Sequence, residues 1–114
     1  MENTSFSNLS EQKCSPCRGG IEPMSPEDIQ SCLDQISEGW QVADNRKLEK
    51  MFRFKNFTEA LAFTNNVGQL AEQQQHHPDI YLAWGKVKIE LWTHKIGGLH
   101  KNDFILAAGI DKLG

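Results

Sequence analysis

The segment from Val87 to His94 constrains the fold most, because its side chains alternate without a break. Val87, Ile89, Leu91 and Thr93 fall on one side of an extended chain, and Lys88, Glu90, Trp92 and His94 on the other. A period of two belongs to a strand with one face buried and the other in water. Ile80 to Trp84 reads as the strand before it, with Gly85-Lys86 as a tight turn between them. Two strands so close in sequence pair antiparallel.

The first half of the chain repeats the arrangement. Trp40 to Ala43 reads as a short strand, Asp44-Asn45-Arg46-Lys47 as a turn, and Leu48 to Phe54 as a second strand. Leu48, Phe52 and Phe54 share a face of that strand, with Lys50 as a polar exception among them.

Helices separate the strand pairs. Ser25-Pro26-Glu27-Asp28 is a helix start, with Ser25 placed to cap and Pro26 suited to the first helical position. Ile29, Cys32, Leu33 and Ile36 form one apolar stripe, and Gly39 is the expected end. Asn56 and Glu59 open a long helix to about Gln75, whose buried stripe is Phe57, Ala60, Leu61, Thr64, Val67 and Ala71. Pro78 disfavours helical geometry at His77 and stops it there. A last helix is expected from about Lys101 to Leu113, with Phe104, Ala107, Ala108 and Ile110 apolar. The order is α-β-β-α-β-β-α. It predicts an α+β two-layer sandwich: a four-stranded antiparallel sheet with helices packed on one face.

The chain has 114 residues, which suits a single core. Residues 25–114 are expected to form the domain. Residues 1–24, rich in Ser, Asn, Gln, Gly and Pro, are expected to be a flexible or loosely packed extension. The net charge of −3 offers no basic field for nucleic acid. No apolar run approaches the roughly 20 residues that span a bilayer. Met1 to Gln12 lacks a signal peptide's apolar segment. Three cysteines make no even disulfide framework, so a reducing, cytoplasmic setting is expected. Cys14-Ser15-Pro16-Cys17 is a lone C-x-x-C. It has no second pair for zinc, and no strand before or helix after it for redox work.

Three of the four histidines fall within residues 76–94. Imidazole titrates near neutral pH, so such a cluster suits proton transfer or metal ligation. His76 and His77 stand where the long helix gives way to a strand. Glu72, four residues earlier, shares a helix face with His76 if the helix persists, and could orient it. Strand parity takes His94 off the core. Zinc is the weaker reading, because adjacent histidines seldom aim at one ion and the two-histidine helix spacing is absent. Plainer roles also exist: the histidine pair as a helix-dipole complement, Glu72 as a solvated charge, and Asp103 as a capping-box residue three after His100. Trp84 and Trp92 could serve packing, or an interface on the exposed sheet face, and an oligomer is expected on that ground.

These residues together resemble the pterin-4a-carbinolamine dehydratase family. The shared pattern is Glu72-Gln73-Gln74-Gln75-His76-His77-Pro78, Tyr81 and Trp84, Thr93-His94, and Asp103, within a likeness that covers residues 25–113. Gly39-Trp40 and Phe52-Arg53-Phe54-Lys55-Asn56-Phe57 resemble the family's early strand and helix start. The resemblance implies dehydration of 4a-hydroxytetrahydrobiopterin to a quinonoid dihydropterin and water, in tetrahydrobiopterin recycling beside an aromatic amino-acid hydroxylase. It implies neither metal nor organic cofactor. It makes His76, His77 and His94 the catalytic candidates, with Glu72 supporting them. Gln75, Trp92, Thr93 and Lys95 would line the pterin pocket, and Asp103 would orient the site. A homodimer or homotetramer is implied, with no nucleic-acid or membrane partner. The same fold also serves non-enzymatic binding and assembly modules, and a molybdenum-cofactor-related pterin is an alternative substrate. Gln75 stands where some relatives carry Asp, Trp92 where some carry Ser, and His100 where a better capping residue such as Ser is usual.

Overall fold

The computed structural model describes residues 23–36 and 38–113. Among them the elements run α1 (Pro26–Leu33), β1 (Gln41–Ala43), β2 (Lys47–Arg53), α2 (Phe57–Gln74), β3 (Asp79–Ala83), β4 (Lys86–Leu91) and α3 (Lys101–Asp111), with a 3-10 turn at His94–Ile96. The four strands form one antiparallel sheet in the order β1-β2-β4-β3. The α+β order read from the sequence is the order of the structure.

Both hairpins turn as their residues dictate. Asp44 and Asn45 both take φ of 56°, the left-handed geometry that matches the twist of paired strands, and Arg46 N–H closes the turn on Ala43 O at 2.9 Å. In the second hairpin Ala83 pairs with Lys86, so Trp84-Gly85 form the turn and Lys86 begins β4, one residue earlier than expected.

The centre of the sheet joins the two hairpins. Leu48 faces Leu91 and Phe52 faces Val87 across β2 and β4, and Leu48, Val87, Ile89 and Leu91 are fully buried. Those side chains meet Phe63 and Val67 of α2 and Phe104, Leu106, Ala107 and Ile110 of α3 in a single core. Gly109 lets α2 and α3 approach closely, since a Cβ there would come within 3.0 Å of Leu70. Trp40, Phe52, Phe63 and Phe54 stack in sequence with centroids 4.7–6.1 Å apart.

Lys50 is the charged intruder on the inner face. Its Nζ donates to Asp111 Oδ1 at 2.9 Å and sits 4.8 Å from the centre of the Phe52 ring, while Trp40 Nε1 donates to the same carboxylate at 3.0 Å. A buried ammonium is tolerable only when so paired, and here the pair ties the C-terminal end of α3 to the sheet.

Two further boundaries differ from the sequence expectation. α1 stops at Leu33 rather than near Gly39, because Gln35 and Ile36 bond three residues back, to Cys32 O and Leu33 O, and unwind the helix. Ile36 still reaches the core, and Gly39, at φ 104°, turns the chain into Trp40. β4 ends at Leu91, and His94 begins a 3-10 turn instead of ending a strand. In addition, α3 is buried on nearly its whole circumference, from Asn102 to Ala108 and at Ile110, because α1 and α2 pack on it and its apolar side chains share one core with those of the sheet.

Candidate active site

The C-terminal end of α2 sets the first half of the site. Gln75 adopts a left-handed conformation, φ 53° and ψ 39°. The reversal returns His76 N–H to Ala71 O at 3.2 Å and Gln75 N–H to Glu72 O at 3.3 Å, a Schellman closure. The helix path is therefore broken one residue before His76, and its ring leaves the face that Glu72 occupies.

Consequently Glu72 partners His77, not His76. Its Oε2 lies 2.6 Å from His77 Nε2, with both side chains largely in solvent at 78% and 60% exposure. This corrects the expectation that Glu72 orients His76. His76 turns inward instead, its side chain only 13% exposed, and its Nε2 lies 2.6 Å from Asp103 Oδ1.

Asp103 is completely buried and fully engaged. Oδ1 meets His76, while Oδ2 accepts from the Thr93 hydroxyl at 2.8 Å and from the His100 backbone N–H at 2.9 Å. An ionised carboxylate only accepts, so the His76 contact puts hydrogen on Nε2 and leaves Nδ1 of the neutral ring free of it. That fixes a tautomer and an orientation, which is what an acid–base imidazole needs.

The carboxylate also gathers the second half of the site. Thr93 is buried and bonds both ways with Gly98, Thr93 N–H to Gly98 O at 2.9 Å and Gly98 N–H to Thr93 O at 3.4 Å. This pinches off a small loop whose start is His94. The His94 ring stacks on Trp92, centroids 4.0 Å apart and planes inclined by 31°, and Lys47 Nζ stands 6.0 Å from the Trp92 ring. Pro23 packs so closely on Gly98 that a Cβ there would meet it at 2.7 Å, and Met24 N–H bonds Leu99 O at 2.9 Å.

Asp103 thus brings the segments 76–77 and 93–94 to one place. Gln75 and Lys95 are exposed on the two turns that carry them. Thr93 belongs to the same place, but its hydroxyl is committed to Asp103. Among the described residues no three His, Cys, Asp or Glu side chains converge as a metal site requires. Cys14 and Cys17 lie outside the described residues.

One participant was undervalued in the sequence. His100, read as a poor cap, caps α3 through its ring: Nδ1 accepts from Asn102 N–H at 3.0 Å. With the Asp103–His100 backbone bond this completes a capping box, and the H-x-x-D spacing was its signal. Burial pushes the His100 imidazole below its ordinary range. The Asp103 charge opposes that shift, and His76 and Lys101 add to it.

Fold and site together define a two-layer α+β protein with a carboxylate-held histidine at a helix-to-strand junction and a second histidine pinned nearby on a tryptophan. The sequence matches the family described as Pterin 4 alpha carbinolamine dehydratase over residues 22–113. A relative in Alkaliphilus metalliredigens, named for pterin-4-alpha-carbinolamine dehydratase, is 53% identical over 94% of this chain and 96% of its own length. A relative of the same name in Rubrobacter xylanophilus is 49% identical over 95% of this chain and all of its own. Among solved structures, a transcriptional coactivator/pterin dehydratase from Brucella melitensis superposes with a TM-score of 0.75 at 27% identity, covering 81% of this chain and 98% of its own. A pterin dehydratase-like RuBisCO assembly factor of the alpha-carboxysome gives a TM-score of 0.55 at 25% identity, covering 65% and 84%. The chain belongs to the pterin 4 alpha carbinolamine dehydratase family, and its enzyme class is hydro-lyase.

Proposed function

We propose that this protein dehydrates 4a-hydroxytetrahydrobiopterin to the quinonoid dihydropterin and water, by proton transfer at His76, His77 and His94. The observation that carries the reading is the 2.6 Å contact between His76 and a completely buried Asp103. Burying a carboxylate is costly, and a ring held this firmly in one tautomer suits directed proton transfer.

The reaction removes the 4a-hydroxyl as water and a proton from the pterin ring N–H. A protonated imidazole donates to the departing hydroxyl, and a neutral one takes the ring proton. His76 and His94 are assigned to proton transfer at the pterin ring, and His77 to the neighbourhood of the hydroxyl. Glu72 holds His77 at the solvent edge, while Gln75, Trp92, Thr93 and Lys95 line the pterin. Acid–base assistance of this kind contributes on the order of 10²–10⁴-fold. No step calls for a metal or an organic cofactor. In this reading residues 25–114 are the catalytic unit, residues 1–24 an extension, and the protein works in the cytoplasm as a homo-oligomer beside an aromatic amino-acid hydroxylase.

The test is direct. Purified protein is expected to speed the loss of chemically generated 4a-hydroxytetrahydropterin, followed by ultraviolet absorbance. His76→Ala and His94→Ala each slow it strongly, and chelators leave it unchanged. Wild-type protein no faster than buffer ends the enzymatic reading. A scaffolding role is the second reading, favoured by the exposed Tyr81 and Trp84 around the β3–β4 hairpin and by the names of the two structural neighbours.

A further inference from the structure

We propose that His100 is a positioning residue for the acid–base site: its neutral Nδ1 caps α3, the cap holds Asp103 against His76, and protonation of His100 releases both. The inference rests on the dehydratase reading for its effect on turnover, but its structural half stands on contacts alone.

Four bonds make the chain of cause. The His100 ring accepts from Asn102 N–H at 3.0 Å, so Nδ1 carries a lone pair and the hydrogen sits on Nε2. The His100 backbone N–H donates to Asp103 Oδ2 at 2.9 Å, and Asp103 N–H returns to His100 O at 2.9 Å. The other Asp103 oxygen is the one on His76. A residue with buried neighbours on both sides, Leu99 and Asn102 to Asp103, has little room to readjust.

Protonation undoes the first bond, because an imidazolium has no acceptor left. Two donors then face each other at Nδ1 and Asn102 N–H. A cation also arrives at the N-terminus of a helix, where the backbone dipole is positive. The charged and titratable groups acting on His100 are Asp103 and Lys101 from α3 and His76 from the α2–β3 junction. Of these only Asp103 favours the cation, and it does so by being drawn toward the new charge and away from His76. Burial works the other way and disfavours the cation.

Serine or asparagine caps a helix without titrating in this range, whereas alanine does not cap. His100→Ala is therefore expected to lower kcat/KM by roughly tenfold or more at pH 8, where the wild-type ring is neutral. His100→Ser restores the cap. Its activity relative to wild type is expected to rise by roughly threefold or more as the pH falls from 8 through the titration of His100, because the wild type alone loses its cap. Proton NMR supplies a readout that needs no turnover. The downfield resonance of the His76–Asp103 hydrogen bond should vanish with the titration of His100 in the wild type, and persist below it in His100→Ser. Superimposable acid limbs for wild type and His100→Ser, or a resonance that ignores His100, overturn the proposal. An inactive wild type whose resonance still follows His100 sinks the dehydratase reading and leaves the positioning role standing.

Discussion

Asp103 and His76 lie 27 residues apart in sequence and 2.6 Å apart in space, and the contact closes across a carboxylate that water does not reach. Replacing Asp103 by Asn keeps the shape but removes the charge and the uniform acceptor character. The His76 tautomer is then no longer fixed. A fall in kcat/KM of about 100-fold or more is expected, within the span that acid–base groups contribute. Asp103→Ala should in addition destabilise the fold by about 3 kcal/mol, since it strands the Thr93 hydroxyl and the His100 N–H in the interior. Steady-state kinetics and urea denaturation measure the two effects separately.

Trp92 stacks on His94, and aromatic contacts of this kind are worth about 0.5–1.5 kcal/mol. Trp92→Phe keeps a ring under the imidazole and is expected to retain most activity. Trp92→Ser removes it and should cost up to about tenfold in kcat/KM. Equal activities for the Phe and Ser variants would show that the stack does not position His94.

Gln75 carries the left-handed turn that aims both histidines. A side chain in that conformation costs about 1–2 kcal/mol, against about 0.5–1 kcal/mol for the extra chain freedom of glycine. Gln75→Gly should therefore raise stability by about 0.5 kcal/mol, seen as a higher urea midpoint at constant slope. Gln75→Ala should bring no such gain. If Gln75 also touches the pterin, Gln75→Gly will raise KM while stabilising the protein, a split that strain relief alone does not produce.

Burial pushes the Cys32 thiol up to about 11; Asp28 adds to the rise and Lys101 opposes it. The nucleophilic thiolate is then scarce below pH 9. Folded protein treated with iodoacetamide at pH 8 should show no carbamidomethyl group on the Cys32 peptide by mass spectrometry. The same treatment in urea should label it fully. Rapid labelling of Cys32 in the folded state would contradict the packing of α1 against α3.

Much of this architecture is legible in the residues. The alternation after Gly85 identifies β4, Leu48 and Phe52 identify the facing strand, and Asn56 and Pro78 bracket α2. Periodicity is informative there because each element buries one face only. It weakens at α3, which is enclosed on almost every side and has no polar face to mark its phase. The polar exception at Lys50 was visible but its partner was not, since Asp111 lies 61 residues away.

Spacing picks out the residues of the candidate site but not how they pair. Placing Glu72 beside His76 follows from helical spacing, and spacing fails once Gln75 reverses the backbone. No glycine or asparagine marks that reversal, so composition carried no warning of it. His94 was rightly kept off the core, but by a strand that ends three residues before it. The spacing of His100 and Asp103 marks a capping box, but not the ring's part in it, because an imidazole is an uncommon cap and its value depends on which nitrogen holds the proton.

Asp103 spends one oxygen on a histidine and the other on the start of a helix. On the proposed function, a descendant that abandoned catalysis would still need the second bond, so this carboxylate would outlive the activity. Glu72 and His77 have no such protection: they face solvent, bond mainly to each other, and hold no part of the core. In a set of sequences sharing this fold, the loss of that exposed pair, rather than the persistence of the buried acid, would mark where an enzyme had become a scaffold.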